Sequence, residues 1–250
     1  MVRVIPCLDV LPEGVVKGVN FQGLRRVGDP VTLAARYDAE GADELVFLDV
    51  GATVEGRRPL ASVLEEVSRH VFLPVTAGGG VRSIGEVEGY LEAGADKVAL
   101  NTAAVRNPEL LEEAALRFGS QCVVLAMDVK RRPGGWEVFV EAGRRPTGLD
   151  AVAWAREGQS RGAGELLVTS MDRDGTGLGF DTDLTAAMRE ATRLPVVASG
   201  GAGRAEHFAE GARAGATGLL AAGLFHRGLL SVRDVKKRLL AEGIEVRPWA

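Results

Sequence analysis

Two aspartates close apolar runs 119 residues apart: Asp9 in Ile5-Pro6-Cys7-Leu8-Asp9-Val10, and Asp128 in Val124-Leu125-Ala126-Met127-Asp128-Val129. A carboxylate at the end of such a run stands on a rigid element beside groups that exclude water, where acids acquire shifted pKa values. Two of them facing one molecule can give a proton on one side and take one on the other. An Asp after a strand also serves simply to cap the following loop, so placement decides between these readings.

Glycine clusters supply a second chemistry. Gly78-Gly79-Gly80 and Asn101-Thr102 fall in one half of the chain, Gly200-Gly201 and Ala222-Gly223 in the other. Bare backbone N–H groups near a helix start, here at Ser83, form an anion site. One glycine run alone is an ordinary tight turn. Two sets, each paired with the next strand end, point to an elongated substrate with a phosphate at each end.

The elements that must position these residues are β-rich runs alternating with helical stretches. Strands are expected at Arg3–Asp9, Glu44–Asp49, Pro74–Ala77, Asp96–Leu100, Gln121–Asp128, Gly164–Thr169, Pro195–Ser199 and Thr217–Ala221. Near-continuous Val/Ile/Leu/Ala content is what parallel strands covered on both faces require. Asp29-Pro30 and Asn107-Pro108 read as helix caps followed by proline, while Ser83 with Glu86 and Ser231 with Asp234 have capping-box spacing. Eight strands alternating with helices over 250 residues predict an α/β fold, a (β/α)8 TIM barrel. An open doubly wound sheet is the alternative.

An internal repeat favours the barrel. Glu44-Leu45-Val46 recurs as Glu165-Leu166-Leu167, Pro74 to Gly80 as Pro195 to Gly201, and Gly94-Ala95 as Gly215-Ala216, each 121 residues later. The chain therefore reads as one domain, 1–250, built from two (βα)4 half-barrels of approximately 1–120 and 121–250. In a two-fold barrel Asp9 and Asp128 end opposed strands.

Between Asp9 and Asp29 lies a long first loop with Gly14, Lys17, Gly18, Asn20 and Gly23, expected as a mobile lid. Lys17 is either a cation brought to substrate or an ordinary solvated lysine. Arg131 to Gly135 followed by Trp136–Val140 reads as a small hairpin after the fifth strand. At the strand starts stand Arg3, Glu44, Lys97 and Glu165. Side-chain parity puts Arg3 on the face of Asp9, Lys97 with Asn101, Glu44 with Leu48 and Glu165 with Thr169. If those faces point inward, two cations and two anions meet at the barrel floor and must pair. Such a ring is a structural plug or a gate for something small.

Composition excludes several classes. A net charge of -4 provides no global positive field for nucleic acid. No apolar run is long enough to span a bilayer, and the N-terminus lacks a signal-peptide pattern. Two cysteines and three histidines without CxxC or HExxH spacing make a disulfide framework or a zinc site a poor expectation; no metal or cofactor is expected, and a cytoplasmic setting is.

Several of these segments together resemble one family. Ile5 to Val10, Gly14-Val15-Val16-Lys17-Gly18, Glu44 to Asp49, Gly78 to Gly80, Lys97 to Ala103, Ser170-Met171-Asp172-Arg173-Asp174-Gly175-Thr176 and Ala198 to Gly203 match the cyclase-subunit family of imidazole glycerol phosphate synthase, in histidine biosynthesis. The resemblance runs along essentially the whole chain. It implies condensation of ammonia with a two-phosphate ribulosyl formimino carboxamide nucleotide, giving imidazole glycerol phosphate and aminoimidazole carboxamide ribonucleotide. Asp9 and Asp128 would be the general acid/base pair. The division of labour between them is our own hypothesis, not part of the resemblance: Asp128 protonates the leaving nucleotide, and Asp9 serves addition and ring closure. Lys17 would lie near substrate. One phosphate site would comprise Gly80, Asn101 and Thr102, the other Asp174, Gly175, Gly201, Ala222 and Gly223. The resemblance turns Arg3, Glu44, Lys97 and Glu165 into an ammonia gate, above a glutaminase subunit docked at the N-terminal face of the barrel. One departure is Gly223, where family members often carry Ser. The alternatives are the sister isomerase of the same pathway, disfavoured by the charged floor and the Val-Val-Lys-Gly loop, and a non-catalytic phosphate-ligand binder, disfavoured by two acids beside an anionic ligand.

Overall fold

The computed structural model describes residues 1–19, 22–55 and 60–249. Among these residues the strands are β1 (Arg3–Leu11), β2 (Gly14–Val19), β3 (Gln22–Gly28), β4 (Leu45–Asp49), β5 (Val75–Gly78), β6 (Lys97–Leu100), β7 (Val123–Arg132), β8 (Gly135–Val140), β9 (Arg145–Asp150), β10 (Glu165–Ser170), β11 (Val196–Ser199) and β12 (Gly218–Ala221). Eight of them pair in parallel in the order β1-β4-β5-β6-β7-β10-β11-β12, and β12 returns to β1 to close a (β/α)8 barrel. Closure leaves no edge among these eight, so their backbone groups are paired within the barrel.

Both strand faces are covered, which is why the runs are apolar without alternation. One layer fills the barrel, formed by Ile5, Cys7, Val46, Ala99, Val124, Leu167, Val197, Leu220 and Ala222, with Leu48 and Ala126 packed against it. A larger layer, including Leu8, Phe47, Leu100, Leu125, Leu166 and Leu219, joins the strands to the surrounding helices. Helix starts follow local chemistry at Asp29, whose Oδ1 accepts the Thr32 N–H at 2.8 Å ahead of the helix Pro30–Ala39. Asp181 caps Thr182–Ala191 in the same way, and Ser231 with Asp234 forms a full capping box on Val232–Ala241. No helix among the described residues is long and apolar enough to cross a membrane.

Four sequence expectations need correction. The segment after Asp9 is not a plain loop: β1 continues to Leu11, and β2 and β3 form an antiparallel hairpin. Val15 and Val16 drive this by burying their side chains, a pairing that a glycine-rich composition conceals. The insertion after the fifth barrel strand carries a third strand, β9, beyond the expected hairpin. Asn107 caps nothing with its side chain; it ends the short helix Thr102–Arg106, and Glu109–Phe118 begins without a side-chain cap. At Ser83 only half of the box forms, because Glu86 takes the Arg82 N–H at 2.6 Å instead of reaching Ser83.

Beneath the barrel the C-terminal tail returns to the N-terminus through a parallel Val2–Val246 bridge. Lys236, fully buried, donates to Asp43 Oδ1 at 2.7 Å, and Arg247 Nε donates to the same oxygen at 2.9 Å. Asp43 Oδ2 in turn accepts the Val4 N–H at 2.8 Å. One carboxylate thus joins β1, the last helix and the tail.

Candidate active site

Parity in the strands decides what faces the interior. Ile5 and Cys7, Val46 and Leu48, Ala99, Val124 and Ala126, and Leu167 form the inner layer, so Arg3 and Asp9, Glu44, Lys97 and Asn101, Asp128, and Glu165 and Thr169 continue the same inward faces. The starts of these strands carry the floor, and the two aspartates lie further along β1 and β7, toward the opposite end of the barrel.

On the floor the four charges close a ring. Arg3 pairs with Glu44 at 2.6 Å and with Glu165, and Lys97 Nζ reaches Glu44 at 3.0 Å and Glu165 at 2.8 Å. Thr76, which sequence reasoning missed, donates its hydroxyl to Glu44 Oε1 at 2.6 Å. Burial pulls the Arg3 pKa down, but the Glu165 and Glu44 carboxylates outweigh it and hold the guanidinium above its usual value. Every buried charge in the ring has an opposite partner, as the desolvation cost demands.

At the other end Asp9 is only 6% exposed and accepts a weak contact from Cys7 Sγ at 3.5 Å. Asp128, whose backbone lies opposite Phe139 of β8, accepts from Asn101 Nδ2 at 3.0 Å. Burial raises the Asp128 pKa to about 7; the Asn101 hydrogen bond lowers it and repulsion from Asp174 raises it. A carboxyl titrating near neutrality can hold a proton to donate and can take one back.

The glycine clusters mirror one another. Gly79 and Gly200, 121 residues apart, have φ of +92° and +93°. A side chain on Gly79 would run into the Asp49 carbonyl, and one on Gly200 into the Ser170 carbonyl, the ends of corresponding strands. Asn101 (φ -120°, ψ -89°) and Ala222 (φ -121°, ψ -77°) share a rare conformation, each opening a short helix, Thr102–Arg106 and Gly223–His226. The two halves thus present near-identical backbone to the barrel mouth, including Gly80 and Gly201, both at positive φ.

The mouth contains a cavity of about 830 Å³ over the second half-barrel. Its lining brings together Asp9, Asp174, Gly175, Gly201, Ala222 and Gly223. Gly80, Asn101, Thr102 and Asp128 are not among the described lining residues; of these, Asn101 and Asp128 are joined by a hydrogen bond. Thr102 Oγ1 accepts the Glu141 N–H at 2.9 Å. Lys17 lies in β2 with its backbone opposite Arg25; its side chain lies outside the described part of the structure. Thr169, Ser199, Arg25 and Arg227 also line the cavity. Thr169 and Ser199 stand at strand ends and were legible by position. The two arginines carry no local signal, since arginine is common on any surface. Asp49 faces outward and accepts the Gly51, Ala52 and Leu60 N–H groups at 3.2, 3.0 and 3.1 Å, which makes it a brace for the loop after β4.

Comparison with known proteins identifies the family. Residues 3–231 match the family described as histidine biosynthesis protein. The imidazole glycerol phosphate synthase subunit HisF of Gluconacetobacter diazotrophicus is 56% identical over 246 residues, covering 98% of this chain and 95% of that protein. The subunit of the same name from Corynebacterium urealyticum is 55% identical over 249 residues, covering 98% of both.

Proposed function

The chain belongs to the histidine biosynthesis protein family, as a HisF-type cyclase subunit of imidazole glycerol phosphate synthase, and from that premise we propose how its barrel performs the reaction. The observation that carries the reading is a pair of inward carboxylates, Asp9 in β1 and Asp128 in β7, above a closed ring of floor charges. The substrate is an elongated bis-phosphate nucleotide laid across the mouth. Gly80, Asn101 and Thr102 take one phosphate; Asp174, Gly175, Gly201, Ala222 and Gly223 surround the other, and Lys17 on the first hairpin comes to the substrate between them. Backbone amides at the mirrored glycine turns supply neutral donors that need no reorganisation when the anion arrives.

Ammonia enters from below. Arg3, Glu44, Lys97 and Glu165 form its gate, and the apolar inner layer above them, which includes Ala99, Val124 and Val197, is a route open to a small neutral molecule in preference to a charged ion. A glutaminase subunit docks on this face, where Phe72 stands 93% exposed in the turn before β5, a position natural for an interface residue. Asp9, buried in β1, serves proton transfers during ammonia addition and ring closure. Asp128, protonated in part near neutral pH, delivers the proton to the departing carboxamide nucleotide as the C–N bond breaks. The reaction runs in the cytoplasm and needs no metal or cofactor, since proton transfer and charge neutralisation cover each step.

A product assay on the purified chain tests this reading. With the ketose nucleotide and ammonium at alkaline pH, imidazole glycerol phosphate and the carboxamide ribonucleotide form together, and neither forms without ammonium. Conversion of the aldose precursor without ammonium, and no turnover of the ketose, would replace it with an isomerase.

A further inference from the structure

The repeat makes the two phosphate ends directly comparable, and they differ. Thr102 corresponds to Gly223 and Arg106 to Arg227, each 121 residues apart, on short helices whose opening residues share one backbone conformation. In the first half Arg106 is tied to Glu141, which also lies 3.7 Å from Arg145, while the Glu141 N–H reaches Thr102 Oγ1. That arginine is neutralised and drawn to the β8–β9 turn. In the second half Arg227 instead folds back, its Nε donating to the Gly223 carbonyl at 3.0 Å, and lines the cavity. Arg25, on β3 of the other hairpin, lines the same cavity. Among the described residues neither Arg25 nor Arg227 has a carboxylate within ion-pair distance. One junction therefore joins an arginine to a glutamate, and its counterpart brings two arginines to one cavity beside a position that lacks a hydroxyl.

Two like charges lining one cavity are unfavourable until an anion joins them, and a phosphate dianion is the species that a guanidinium fork fits best. Resting on the reading of the site as a bis-phosphate cyclase, we infer that the two substrate ends are held by different chemistry: neutral hydroxyl and amide donors at Thr102 and Asn101, and guanidinium charge from Arg227 and Arg25 at the Gly223 end. The arginines do there what a side-chain hydroxyl at position 223 would do, and they make that end the salt-sensitive one.

The experiment compares Arg227→Gln, Arg25→Gln and Arg106→Gln at saturating ammonium. Arg227→Gln raises KM for the ketose nucleotide about tenfold with kcat within about twofold, as loss of uniform binding requires. Raising salt from about 50 to 300 mM weakens the wild type more than this variant. Gly223 does not need positive φ, so Gly223→Ser added to Arg227→Gln recovers part of the KM. An unchanged KM in both Arg227→Gln and Arg25→Gln, or an equal rise in Arg106→Gln, would overturn the inference. Calorimetric titration with inorganic phosphate separates it from the function assigned to the site. If the wild type binds phosphate but does not turn over the ketose, the cyclase reading fails while weaker phosphate binding by Arg227→Gln still upholds the arginine site; equal binding by both sinks it.

Discussion

Asn101 donates from Nδ2 to Asp128 Oδ2 across 3.0 Å, tying the residue after β6 to the inward carboxylate of β7. The bond favours the charged form of Asp128, whereas burial and the nearby Asp174 favour the neutral one, and the balance places its pKa at about 7. For a general acid that must be protonated, turnover per free ammonia falls as pH rises through about 7. Asn101→Ala removes the lowering contact and moves this limb to higher pH; Asp174→Asn removes the repulsion and moves it lower. Limbs that fail to move in opposite directions in pH–rate profiles would dissociate Asp128 from the acid step.

The same burial has a cost in stability. A carboxyl whose folded pKa lies above its unfolded value near 3.8 makes the fold lose stability as pH rises between the two, here up to about 7. Asp128→Asn therefore abolishes turnover yet unfolds later than the wild type at pH 8, by up to about 4 kcal/mol. At pH 4 the difference vanishes. Denaturant melts at both pH values measure this.

Floor chemistry and mouth chemistry separate experimentally. Lys97→Met leaves Glu44 and Glu165 sharing Arg3 alone, although Thr76 still reaches Glu44. Removing one member of a mostly buried set costs about 2–4 kcal/mol. Turnover driven by free ammonium, which can enter from the mouth, stays within about threefold, while glutamine-driven turnover with the partner subunit falls more than about tenfold. Equal losses in the two assays would reduce the ring to a plug.

Asp43 is the electrostatic anchor of the tail. It holds the fully buried Lys236 and also Arg247, so Asp43→Asn takes the compensating negative charge from a buried ammonium and leaves it neutral oxygens only, the amide at 43 and the Arg247 carbonyl 3.2 Å away. The expected loss is about 3–5 kcal/mol in chemical unfolding. Turnover at 25 °C persists in the fraction that remains folded, because no mouth residue touches this cluster.

The barrel was legible because its cause is local. Near-continuous apolar runs, caps such as Asp29 and Ser231, and glycine turns recurring at one offset are properties of short windows, and they place the ends of the barrel strands to within a residue or two, except that β7 runs past Asp128 to Arg132. Parity extended that reading to the floor, since residues two apart in a strand share a face whatever the rest of the chain does. Asn107 failed as a cap because Thr102–Arg106 had already taken it as its end, and β2 and β3 were hidden because a glycine-rich segment looks the same in a loop and in a bulged hairpin.

Residue type and position alone therefore announced a barrel with two inward acids, mirrored glycine turns and a charged floor. They could not say that Asp128 titrates near 7, that Thr76 completes the floor, or that Arg106 is neutralised while its counterpart Arg227 faces a cavity. Those facts depend on burial and on partners drawn from distant segments, Glu141 against Arg106 and Asp174 near Asp128. Electrostatic energies depend on separation in space and on exclusion of water, and neither exists until the barrel has closed.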